Sequence, residues 1–189
     1  MSNTPEETAS SNDDDSPYLI TGPALDRHFE LQDTLLEFAR LFRDEANDRV
    51  LAIVGGTFLD TQLEHLARSF LIEEKSEVDK LLSYDQPLGT FGNRIRMAYC
   101  LGLISKTIRD DLRLVAKIRN RFAHDLVCSF DDDPIRSWAI ELKWHRIAFV
   151  KPPDGATPRD LFHVGVNQLV GHLDGLVSLA RLDKRKIRE

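Results

Sequence analysis

The stretch Ile108-Arg109-Asp110-Asp111-Leu112-Arg113-Leu114-Val115-Ala116-Lys117-Ile118-Arg119-Asn120-Arg121-Phe122-Ala123-His124 sets the fold class. Ile108, Leu112, Val115, Ile118 and Phe122 recur every three or four residues, which puts them on one face of a helix. Thr107-Ile108-Arg109-Asp110 has the spacing of a capping box near the start of that helix. The same period continues in both directions along the chain. Upstream, Leu25, Phe29, Leu35, Leu36, Ala39 and Phe42 step in threes and fours after Pro23. Val50, Ile53, Val54, Phe58, Leu63, Leu66, Phe70 and Leu71 continue in the same way. The pair Gly55-Gly56 inside this second run costs helix propensity, so it implies a neighbour packed closely there.

A short helix is expected over Val78 to Leu82, ended by Asp85-Gln86-Pro87-Leu88-Gly89, because a proline disfavours helix in the residue before it. Phe91, Ile95, Met97, Ala98 and Leu101 mark another helix, stopped at Gly102-Leu103. Asp133-Pro134 and Thr157-Pro158 each pair a capping side chain with proline at the first helical position. The first opens a helix through Ile135, Trp138, Ala139 and Leu142, and the second a long one through Phe162, Leu169, Leu173 and Val177. Trp144 to Val150 is ambiguous, a short extended segment being one reading, and Lys151-Pro152-Pro153-Asp154-Gly155 is a loop. The fold class is therefore all-α, a single-domain bundle of about six to seven helices.

Composition agrees. The chain has 189 residues, 42% hydrophobic and 30% charged, enough for one sizeable core. No apolar run approaches the roughly 20 residues of a membrane span, and no basic-then-apolar leader opens the sequence. Cys100 and Cys128 are too few for a disulfide framework or a zinc site, and are expected as small buried side chains in a reducing compartment. A cytoplasmic location with no membrane association is the expectation.

The net charge of -6 is unevenly placed. Residues 1–17 hold Glu6, Glu7, Asp13, Asp14 and Asp15 and no base, while Arg181, Lys184, Arg185, Lys186 and Arg188 crowd the other end. Low hydrophobicity makes residues 1–20 an acidic disordered tail. The bundle then spans 21–184, and 185–189 form a basic C-terminal tail. An acidic balance, with pI near 5.5, and the expected lack of a basic helix face argue against direct DNA binding.

Several signature segments stand close together. Pro87-Leu88-Gly89-Thr90-Phe91, Arg94-Ile95-Arg96-Met97-Ala98-Tyr99-Cys100-Leu101-Gly102-Leu103-Ile104, Ile118-Arg119-Asn120-Arg121-Phe122-Ala123-His124 and Phe130-Asp131-Asp132 together resemble the mannitol operon repressor family. The resemblance covers roughly residues 30–180 and is sharpest over 87–133. It implies an all-helical, non-enzymatic regulatory protein of bacteria, acting through helical protein–protein contacts as a homodimer with a further protein partner. Arg119 to His124 also fits the R-x4-H pattern of HEPN domains, helical modules that include RNases and toxins.

That pattern defines the alternative function, a metal-independent endoribonuclease or toxin acting on RNA across a dimer. Its catalytic residues would be Arg119, Asn120 and His124. Histidine titrates near neutrality and can act as acid or base, while a guanidinium suits the charge gathering on phosphate oxygens. Asn120 and His124, four apart, share a helix face, but Arg119 and His124 stand about 140° apart on an ideal helix. The competing reading makes His124 an ordinary residue at a helix C-terminus, with Arg119 and Arg121 paired to Asp125 or to acids on a neighbouring helix. Asp131-Asp132-Asp133 are read as a helix cap in place of a metal site. Trp138 and Trp144, with Lys143, His145 and Arg146, could form a stacking, phosphate-binding surface, but Trp138 fits the apolar stripe and is expected in the core, with Trp144 at an interface. No motif for a cofactor is present.

Overall fold

A computed structural model describes residues 36–38, 40–43, 45–147, 152 and 154–188. The expected acidic tail over 1–20 and most of the helix expected after Pro23 lie outside these residues. Residues 1–39 and 40–189 divide into two compact units. The described residues of the second unit contain seven helices: α1 (Asp48–Phe70), α2 (Lys75–Leu82), α3 (Phe91–Cys100), α4 (Lys106–His124), α5 (Ile135–Glu141), α6 (Trp144–Ile147) and α7 (Pro158–Leu182). They form an all-helical bundle, and residues 40–43 are helical as well.

Helix α1 packs against α3, α4 and α7, while α5 and α6 pack against α4 and α7. At its start Asp48 takes the Arg159 Nε–H at 2.9 Å, and at its end the Phe70 carbonyl takes the Arg185 backbone N–H at 2.8 Å. These ties fix α1 and α7 in the same direction. Helix α4 runs the opposite way, since Arg49 near the start of α1 donates to the carbonyls of Phe122, Asp125 and Leu126 at the end of α4. One guanidinium thereby satisfies carbonyls that a helix end otherwise leaves open. Between these helices sit Leu59, Leu63 and Leu66, then Leu112, Val115, Ile118 and Phe122, then Phe162, Val166, Leu169 and Leu173, all 1% exposed or less. Phe130 stacks between Phe122 and Phe162, with ring centroids 5.1 and 5.0 Å away.

Local chemistry explains the element ends and corrects several expectations. Thr157 and Asp160 form the capping box of α7 with Pro158 in its first turn, as the sequence implies. In α4 the cap is Ser105, whose hydroxyl takes the Ile108 N–H at 3.3 Å, two residues ahead of the expected Thr107. Asp133 does not cap α5. Its carboxylate accepts a hydrogen bond from the Ser137 hydroxyl at 2.8 Å, and the helix begins at Ile135 after a cis Asp133–Pro134 bond. Trp144–Ile147, ambiguous in the sequence, is a helical turn. The reason is Asp111, whose carboxylate accepts the backbone N–H groups of Lys143 and Trp144 at 2.8–3.1 Å and starts the turn. Cys100 is exposed, against expectation. Gly102 ends α3 in the left-handed region, at φ 73°.

Candidate functional site

The glycine pair of α1 decides where Arg119 goes. A Cβ added at Gly55 would meet the Phe42 ring at 2.9 Å and Val166 at 3.1 Å. One added at Gly56 would meet Cβ and Cγ of Arg119 at 2.8 Å. The Arg119 stem therefore lies in the groove that the missing side chain leaves, which is the close neighbour the sequence implies. Its guanidinium stands 3.9 Å from Asp60 and 5.7 Å from the centre of the Phe91 ring. Asn120 and His124 are on the exposed side of α4, sharing a face as their spacing requires. Arg119 thus faces α1 while Asn120 and His124 face solvent, and among the described residues no contact joins the arginine to the histidine. Arg121 pairs with Asp125 at 2.8 Å, as the competing reading holds.

Around Arg119 lies a charged cluster that the sequence reading missed. Arg94 of α3 is 8% exposed and reaches Asp60 at 2.8 Å, Glu64 at 2.9 Å and the Leu82 carbonyl at 3.1 Å. Glu64 also takes Arg68, which in turn reaches Asp79 on α2. Burial pushes the Asp60 carboxyl above its ordinary value, against the pull of Arg94 and Arg119. The cluster ties four helices together through ions that are individually costly to bury and so must stay paired. Its signal in the sequence is Arg94 itself, a charge set into the stripe Phe91, Ile95, Ala98.

The same corner accounts for the family-like segments. Gly89 must be glycine, because a Cβ there would lie 2.2 Å from the carbonyl oxygens of Ser83 and Tyr84. Thr90 then caps α3 through the Asn93 N–H at 3.3 Å, and Phe91 and Arg94 enter the core. In the fourth segment Phe130 is buried with its N–H on Asp48, and Asp132 takes the N–H and hydroxyl of Ser129. Much of the signature thus holds corners together.

Asp111 is a second missed residue, fully buried on the α4 stripe and aimed at the α6 start. Burial raises its carboxyl above the ordinary value, opposed by the two backbone N–H groups. The described residues around Trp144 do not build an open stacking surface. His145 is 4% exposed, and burial lowers its pKa. The Trp144 ring lies 4.6 Å from that of His172. Trp138 is half-buried, with Lys117 5.5 Å above its ring.

The expectation that no helix carries a basic face fails on α4. Lys106, Arg113, Lys117, Arg121 and His124 are all exposed, and their spacings of seven, four, four and three residues set them in one line. Just past its end Leu126 and Val127 are each 90% exposed. The pattern was legible in the sequence, but the chain's net negative charge hid it. No helix among the described residues is long and apolar enough to cross a membrane.

Similarity to known proteins runs through the same segments. The chain matches the family model described as mannitol repressor over residues 46–164, the span from the start of α1 into α7. It is 34% identical over 87 residues to the mannitol operon repressors of Escherichia coli strains K12 and O6:H1 (CFT073). Those matches cover 46% of this chain and 44% of each relative, so the chain spans less than half the length of the curated relatives it matches. Its fold is shared with a chain of the X-ray structure of the MtlR–HPr complex from Escherichia coli, at a TM-score of 0.58 and 22% identity. That likeness covers 76% of this chain and 98% of the other. With the family model matched across most of the bundle, this chain belongs to the mannitol repressor family.

Proposed function

We propose that the chain is a non-enzymatic regulator that acts by binding a protein partner of the HPr kind, itself as a homodimer, in place of reading DNA directly. The observation that carries this reading is the use made of Arg119. Arg119, the arginine of the R-x4-H pattern, is seated against Gly56 and aimed at Asp60, away from the His124 of its own chain. Family membership supports a regulatory role, and the solved relative of the same fold is complexed with HPr. The exposed Leu126 and Val127 beside the basic line of α4 offer an apolar contact with charged surroundings, a usual composition for a transient interface.

The test is calorimetric titration of the purified chain with HPr, beside gel-shift assays on operator-length DNA and incubation with cellular RNA in EDTA. Saturable heat with HPr, weakened by Leu126→Asp, is the expected result. Tight sequence-dependent DNA binding by the chain alone would overturn the reading. So would RNA cleavage that is lost in both Arg119→Ala and His124→Ala, which would restore the endoribonuclease with Arg119, Asn120 and His124 as its site.

A further inference from the structure

A cleft of about 380 Å³ opens between α4 and the corner where α5 meets α6. Arg113 and Lys117 enter it from one wall, Lys143 from the other, and Leu114 supplies apolar surface. The acids of the same walls are largely committed elsewhere. Asp110 is held by Arg109 at 2.6 Å, and Asp111 spends its oxygens on the backbone N–H groups of Lys143 and Trp144. Glu141 is the remaining carboxylate. Arg113, Lys117 and Lys143 are in no ion pair among the described residues. With Arg109 counted, four cations stand against the carboxylates of Asp110, Asp111 and Glu141, a net excess of one positive charge, and Arg113, Lys117 and Lys143 are the cations left unpaired in a concave place.

We propose that this cleft binds a phosphomonoester of metabolite size. The volume lies at the lower end of the range for small-molecule sites, about 300–1,000 Å³, which suits a small organic body. A phosphomonoester carries about -1.5 to -2 charges at pH 7, enough to engage all three unpaired cations. Arg113 offers a planar pair of N–H donors that fits two phosphate oxygens, while Lys117 and Lys143 act as point charges on either side. Leu114 and the aliphatic stems of the lysines cover the organic part. Glu141 limits affinity by repulsion. Arg113 and Lys117 also belong to the basic line of α4, so a metabolite bound here would compete with a protein partner on that line, and the regulator would respond to the metabolite.

The test uses the full-length chain labelled with 15N and titrated with glycerol phosphate, with inorganic phosphate, glycerol and succinate as comparison arms. Saturable shifts of the amides at 113, 117 and 143 are expected with glycerol phosphate, weaker ones with inorganic phosphate and none with glycerol. Arg113→Ala, Lys117→Ala and Lys143→Ala should each weaken binding about fivefold, the effect of one unit charge about 4 Å away in a water-like dielectric. Glu141→Gln should tighten it by a similar factor. All four side chains are exposed, so the circular dichroism of each variant should match the parent. Shifts that never saturate, that map elsewhere, or that survive all three cation variants would overturn the site. Succinate binding as tightly as glycerol phosphate would overturn the assignment to phosphomonoesters.

Discussion

Gly56→Ala tests the seating of Arg119 directly, and with it the non-enzymatic reading. In an exposed helix interior the change would stabilise by about 1 kcal/mol, because glycine loses more backbone entropy than alanine. Here the new methyl would lie 2.8 Å from both Cβ and Cγ of Arg119, closer than real Cβ contacts come. Those atoms are the root of the side chain, so relief requires α1 and α4 to move apart. Overpacking of this kind costs roughly 1–3 kcal/mol, which leaves a net loss of about 0–2 kcal/mol. Urea unfolding tracked by circular dichroism reads the effect as a lower midpoint at an unchanged slope. A double-mutant cycle with Arg119→Ala sharpens it. Truncation removes the Cγ contact at 2.8 Å and the Cδ contact at 3.8 Å but keeps Cβ, so Gly56→Ala should cost less in that background. If Gly56→Ala instead stabilises the parent by about 1 kcal/mol, the stem is not seated there. Arg119 would then be free to join His124, and the seating would no longer speak against catalysis.

The buried polar groups lead to further expectations. Arg94→Ala should destabilise by about 3 kcal/mol in the same urea assay, the low end for a buried pair, because it leaves the half-buried Asp60 with only Arg119 at 3.9 Å and removes a partner of Glu64. Arg94→Lys should recover only part, since one ammonium cannot hold two carboxylates and the Leu82 carbonyl in the geometry of a guanidinium. Asp111→Ala should cost about 2–5 kcal/mol by orphaning two backbone N–H groups, and Asp111→Asn, which keeps an acceptor, should cost less. Because burial raises Asp111 above 3.8, the folded state holds that proton more tightly than the unfolded one. Its contribution therefore falls as pH rises from 3.8 through the raised folded value, and the gap between Asp111→Asn and the parent should narrow over that window. His65 and His145 are lowered from 6.5 by burial, so the unfolded chain takes up those protons first. Stability from these two should be complete above 6.5 and drain as pH falls below it. A His65→Gln, His145→Gln double variant whose thermal midpoint drops as steeply as the parent's between about pH 6.5 and 5 would contradict this.

Helical periodicity was enough to name the bundle, because a stripe such as Ile108, Leu112, Val115, Ile118, Phe122 can be buried by only one kind of element. Local chemistry was also legible at Thr157-Pro158 and Gly102, where a cap or a positive φ depends on neighbours in sequence. The charge line on α4 was equally present in the spacing of Lys106, Arg113, Lys117 and Arg121. What the sequence did not determine was the destination of each polar side chain. Asp111, the residue before Leu112 on the same stripe, serves backbone groups 32 and 33 positions away, and Arg94 answers to acids 30 and 34 positions back. Such pairings are set by which helices pack and in what direction, since an ion or a bare N–H takes whatever partner burial leaves within reach. Arg119 is the clearest case. Its spacing from His124 allowed a site or a helix end, and the absence of a side chain on Gly56 drew it to α1.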